Sequence, residues 1–86
     1  MTRQEILQGL IDIMQNIPQI KNDNLKNVNE DTDFITDLGA PSTELINIMA
    51  KAEDKFGLEF DDDDIDDLGS TVGDTIDLID KTQREA

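Results

Sequence analysis

Between Leu45 and Phe56 the apolar residues fall at helical spacing: Leu45, Ile48, Met49, Ala52 and Phe56 stand at offsets of 3, 4, 7 and 11. Side chains return to the same face every 3.6 residues in a helix and every two in a strand, so this stripe specifies an amphipathic helix with one buried side. Two other stretches obey the same rule. Ile6, Leu10, Ile13, Met14 and Ile17 share a face early in the chain, and Val72, Ile76 and Ile79 share one late in it. No stretch shows the alternation of a half-buried strand. The expected fold is all-α: a four-helix bundle with three main helices, one short helix and a long first loop.

Local signals set the expected boundaries. Thr2 and Glu5 have capping-box spacing, so the first helix is predicted over about residues 3–17, ended by Pro18. The second is predicted from Ser42 to Phe56, with Gly57 as its stop. The run "LEFDDDDIDDLGS" holds four consecutive aspartates, which stay in water, and Ile65 and Leu68 as apolar anchors for a helical turn or two. Thr71 and Asp74 form a second cap-like pair before a last helix over about 72–83, with Lys81 and Arg84 suited to its C-terminal end.

From Gln19 to Ala40 no period is sustained, and Asn and Asp dominate. Those residues favour turns. Yet Ile20, Leu25, Val28, Phe34, Ile35 and Leu38 are scattered through the stretch, and a disordered linker has no use for them. They read as pins that fasten a long loop to the core. The expected core is Ile6, Leu10, Met14, Phe34, Leu45, Ile48, Met49, Phe56, Ile65, Val72, Ile76 and Ile79. At 86 residues, a single domain over 1–86 is the expectation.

The chemistry open to such a chain is narrow. It has no cysteine and no histidine, which removes disulfides, thiol nucleophiles, histidine acid-base catalysis and the ordinary metal-ligand clusters. Any sulfur chemistry needs a thiol from an added group. A net charge of −14 argues against binding nucleic acid or anionic membranes and favours partners with basic surfaces. No stretch approaches the roughly 20 apolar residues of a membrane span. The opening "MTRQEILQGLIDIMQNI" carries Asp12 within its apolar stretch, which does not fit a signal peptide, so a cytoplasmic location is expected. Like-charged copies repel, and a monomer is expected. The aspartate run fails as a calcium loop: counting from Asp64 puts Leu68 at position 5 and Thr75 at position 12, and counting from Asp62 puts Asp67 where glycine is required. With no Trp or Tyr to wall a pocket, nothing marks a catalytic carboxylate pair, and an enzyme is not expected.

Ser42 remains. By generic statistics a serine at the start of a helical run is its cap. Its surroundings, "DFITDLGAPSTELI" (33–46), resemble the segment of acyl carrier proteins that bears their attachment serine: Phe34, Asp37, Leu38 and Gly39 match. Downstream, "AEDKFGLEF" (52–60) is similar to the acidic end of that family's second helix, and "STVGDTIDLI" (70–79) to the start of its last. The resemblance covers essentially the whole chain. Pro41 and Thr43 stand where the family typically has Asp and Leu, and Asn47 where an acidic residue is common.

The resemblance implies 4'-phosphopantetheine attached covalently to the Ser42 hydroxyl, with acyl intermediates held as thioesters on that arm. It implies, as partners, a phosphopantetheinyl transferase and the synthase or acyl-transferring enzymes of fatty acid, lipid or secondary-metabolite synthesis. It also implies a docking face on the second helix, with Glu44, Glu53 and Asp54 as acidic members, Ile46 and Ala50 as an apolar spot, and Asn47 among them. The alternative is the same bundle as an unmodified acidic module that binds a basic protein.

Overall fold

The computed structural model describes residues 1–85. It consists of helix α1 (Arg3–Met14), a 3-10 helix (Asn22–Asn27), α2 (Ser42–Phe56), α3 (Asp62–Asp66) and α4 (Val72–Glu85). Among the described residues there is no strand, and a lone antiparallel bridge joins Asp33 to Thr71. The all-α expectation and the order of the helices hold.

α1 begins with the predicted capping box. The Thr2 hydroxyl accepts from the Glu5 N–H at 3.2 Å, and the Glu5 carboxylate accepts from the Thr2 N–H at 2.8 Å. The Thr2 N–H foremost, and the Thr2 side chain after it, hold the Glu5 carboxyl below its ordinary pKa. The helix stops at Met14, three residues short of the expected Ile17. Pro18 disfavours helical geometry in the residue before it. The chain closes instead with 3-10-type bonds, Asn16 N–H to Ile13 O and Ile17 N–H to Met14 O, both at 3.1 Å. Ile17 is still buried at 2% exposure, so the stripe is kept although the helix is not.

Gly57 ends α2 in the left-handed region, at φ 67°. A residue with a Cβ pays for that conformation, which is why glycine stands there. α3 is five residues long and buries none of them. α4 starts with the Thr71–Asp74 cap, whose Thr71 hydroxyl accepts from the Asp74 N–H at 3.1 Å. It runs to Glu85, two residues beyond the expected end.

One hydrophobic core joins the elements, and α1 packs on both α2 and α4. Phe34, Ile6, Leu10, Met14, Ile48, Ile76, Ile79 and Val72 are its fully buried large side chains. Each contributes about 1.5–3 kcal/mol by leaving water. Three expected core members, Leu45, Phe56 and Ile65, are only half-buried and pack against the core from its edge. Helical periodicity identifies a face but does not say where neighbouring helices stop covering it. Ala40, Phe60 and Leu78 are buried without having been expected.

The long loop is pinned as predicted by Ile20, Leu25, Phe34 and Leu38, all buried, and by the half-buried Val28. Ile35 is the exception: it points to solvent, 40% exposed. The loop is also tied by polar contacts. Arg3 of α1 pairs with Glu30 in the loop and, at 2.8 Å, with Asp77 on α4. Those two carboxylates raise the pKa of Arg3, and Arg3 in turn depresses that of Glu30.

Candidate functional site

Ser42 is delivered by a tight turn. The N–H groups of Asp37 and Leu38 both donate to the Asp33 carbonyl, Gly39 donates to Ile35 and Ala40 to Phe34. Gly39 sits at φ 72°, a conformation the turn needs and other residues resist. Phe34, Leu38 and Ala40 are buried, so the turn is seated in the core and Ser42 emerges from a fixed base.

The cap position of α2 is Pro41, not Ser42. Pro41 has an extended backbone, φ −61° and ψ 152°, and its carbonyl accepts from the Glu44 N–H at 2.9 Å. Proline therefore enters the helix without distorting it. Ser42 is the first helical residue, is exposed, and among the described residues no side-chain bond caps the helix. Its hydroxyl is free for other chemistry. At this end of a 15-residue helix the free N–H groups and the macrodipole favour an anion on Ser42 Oγ.

Beside Ser42 runs a groove of about 260 Å³, walled by Leu45, Ile46 and Met49 of α2 and by Ile65, Asp66, Leu68 and Gly69 of α3 and the turn after it. Here the half-burial of Leu45 and Ile65 acquires a meaning: they form facing apolar walls. Sequence reading missed the groove, although it identified Ile65 and Leu68 as anchors. Gly69 is shaped by its neighbour, because a Cβ there would fall 2.1 Å from the Asp74 carboxylate.

The expected docking residues separate into groups. Ile46, one turn along from Ser42, is the most exposed large apolar side chain, at 66%. Ala50, a further turn on, and Asn47 are exposed too. Glu44 is half-buried and accepts from the Asn47 amide at 3.3 Å. Glu53 is turned to structural use: its carboxylate accepts from the Phe60 N–H at 2.9 Å, and its carbonyl takes the Gly57 and Leu58 N–H groups. Asp54 lies toward α1, in a groove shared with Asp12, Lys51 and Lys55. Among the described residues no group of three or more potential ligands is arranged to hold a metal ion. Among them, too, no helix is long and apolar enough to cross a membrane.

The family model for the phosphopantetheine attachment site matches residues 8–79. The acyl carrier protein of Thermobifida fusca is 36% identical over 80 residues, covering 93% of this chain and 96% of that protein. That of Acidothermus cellulolyticus is 33% identical over 79 residues, covering 92% and 89%. The meromycolate extension acyl carrier protein of Mycolicibacterium smegmatis is 32% identical over 84 residues, covering 98% and 81%. Among solved structures, an acyl carrier protein from Enterococcus faecalis superposes with a TM-score of 0.67 at 33% identity, covering 95% of this chain and 99% of that one. The chain belongs to the acyl carrier protein family, whose members bear 4'-phosphopantetheine covalently and work with synthase and transferase enzymes.

Proposed function

We propose that Ser42 is the attachment residue and that this chain carries apolar acyl groups as thioesters for enzymes of fatty acid or lipid synthesis. One observation carries the reading: an exposed hydroxyl without a capping bond, on the first residue of a long helix, beside an apolar groove. When bound, the phosphopantetheine arm supplies the thiol that this cysteine-free chain lacks. The chain's own residues do the rest. Ser42 Oγ holds the phosphodiester, the first turn of α2 stabilises its negative charge, and Leu45, Met49, Ile65 and Leu68 offer apolar surface to a chain lying in the groove. The relatives named for meromycolate extension support a role in lipid synthesis.

The chain itself catalyses nothing in this reading and is a cofactor-bearing substrate for other enzymes. It acts as one carrier unit over residues 1–86, monomeric and cytoplasmic. Partners dock through basic surfaces that meet the −14 chain, with Ile46 and Ala50 as the apolar contact and Glu44, Asn47 and Asp54 around it. Glu53 contributes to that face through the turn it braces. Incubation with coenzyme A and a broad-specificity phosphopantetheinyl transferase should add one phosphopantetheine to the wild type and none to Ser42→Ala, read by intact mass.

Pro41 and Thr43, which replace the usual Asp and Leu, favour a second reading, the unmodified acidic module that binds a basic protein. A wild-type chain that several transferases leave untouched, and that keeps its bare mass in its native host, would establish that reading over the first.

A further inference from the structure

The two walls of the Ser42 groove belong to separate segments, and one carboxylate joins the stretch before one to the stretch after the other. Asp33 stands at the base of the turn that delivers Ser42. Its Oδ1 accepts the Ile35 N–H at 2.8 Å and the Thr36 N–H at 2.9 Å, inside that turn. Its Oδ2 accepts the Ser70 hydroxyl at 2.6 Å, and Ser70 follows Gly69, the last residue of the opposite wall. The Asp33 N–H is held in turn by the Asp37 carboxylate at 2.8 Å. Backbone bonds flank the clamp, Phe34 N–H to Ser70 O at 2.9 Å and Val72 N–H to Thr32 O at 2.8 Å. They keep the loop beside the α3–α4 junction whether or not the carboxylate is present. What the carboxylate adds is a fixed orientation of Ser70, and hence of the Gly69–Leu68 end of the groove.

We propose that Asp33 is a positioning residue for the groove: by orienting Ser70 against the Ser42 turn it fixes how the Leu68–Gly69 end of one wall faces the Leu45–Met49 wall. An apolar acyl group is then gripped or left in water according to whether the clamp is closed. This rests on Ser42 being the attachment residue. α3 buries no residue fully, and of its five residues the half-buried Ile65 is the one that packs on the core, which leaves the wall dependent on its flanking ties.

The test loads the full chain from hexanoyl-coenzyme A with a phosphopantetheinyl transferase. Intact mass establishes loading, and methyl NMR compares the loaded chain with the chain bearing the bare arm. In the wild type the Leu45, Ile65 and Leu68 methyls should shift on hexanoylation. In Asp33→Ala the ratio of gripped to free acyl chain read from those shifts should fall about fivefold, the weight of the lost cross-groove bond. Asp33→Asn should restore them, because its amide oxygen takes the turn N–H groups and its amide nitrogen can donate to Ser70 Oγ. Ser70→Ala removes only the cross-groove bond and should lose the shifts as Asp33→Ala does, which decides the matter if the latter does not fold. Arg3→Gln, which removes ion pairs that share no residue with the groove or with the Asp33–Ser70 bond, should leave the shifts intact. Loaded wild type with unmoved groove methyls, wild-type shifts in Ser70→Ala, or an equal loss in Arg3→Gln would each overturn the proposal. Absence of the loaded mass would instead overturn Ser42 as the attachment residue.

Discussion

The Gly73 N–H of α4 donates to the Glu30 carbonyl at 2.8 Å, and a Cβ built on Gly73 would stand 2.8 Å from that same oxygen. The loop and the first turn of α4 are in backbone contact there, and only a residue without a side chain allows it.

Gly73→Ala should therefore destabilise the chain by about 1–2 kcal/mol, because the obstacle is backbone and cannot swing aside. Gly9 supplies the control. Its Cβ would meet the far end of the half-buried Phe56 ring at 2.5 Å, and a side chain, unlike backbone, can swing aside. The gain of about 1 kcal/mol for Gly to Ala within a helix then offsets the displacement, so Gly9→Ala should be close to neutral. Urea unfolding of the two variants checks both; equal losses would show that Phe56 is as fixed as the Glu30 carbonyl.

Thr75 is the only buried polar residue among the described ones, and its hydroxyl has no hydrogen-bond partner. An unmade buried hydrogen bond costs about 1–3 kcal/mol in protein mutational data. Thr75→Val keeps the shape and removes the cost, so it should raise stability by about 1–2 kcal/mol and the melting temperature by several degrees. A melting temperature that fell instead would reveal a polar partner, such as a bound water, inside the bundle.

The Ser70 hydroxyl and the Thr36 and Ile35 N–H groups hold the Asp33 carboxyl below its ordinary value of 3.8. A depressed folded-state pKa stabilises above the unfolded value, and the contribution is lost as pH falls through the folded one. The advantage of wild type over Asp33→Asn should stay level from about pH 7 to pH 5 and shrink below about pH 4. Paired thermal melts across that range read it, and an advantage that widens toward acid would contradict the assignment.

Ile46→Glu tests the docking face. The side chain is 66% exposed, so stability should change by no more than about 0.5 kcal/mol. Transfer by a partner synthase should nevertheless slow through a raised KM for the carrier, since an apolar contact is replaced by a charge. Unchanged kinetics would move the docking face elsewhere.

What could be read from the sequence was local. The Thr2–Glu5 and Thr71–Asp74 caps, the Gly57 stop and the α2 stripe each operate within a few residues, and all four are found where expected. As the proposed attachment residue, Ser42 is supported on the sequence side only by its neighbours in "DFITDLGAPSTELI". The polar ties that hold the long loop in place are not local. Ser70 reaches Asp33 across 37 positions, and Arg3 reaches Glu30 across 27. No periodicity encodes such pairings. The same limit explains Leu45, Phe56 and Ile65, whose spacing marks them as apolar-face residues while their half-burial depends on where α3 and α1 end.

The engagement of Glu53 with the Phe60 amide has a practical corollary for mapping how this carrier is recognised. A charge-by-charge alanine scan along α2 would register a defect at Glu53 and credit it to attraction by the enzyme's cationic rim. Yet that variant also unseats the Gly57–Phe60 bend, and with it the chain's approach to α3. Glu53→Gln, which keeps an acceptor for the amide while discarding the charge, is the substitution that separates electrostatic attraction from scaffolding.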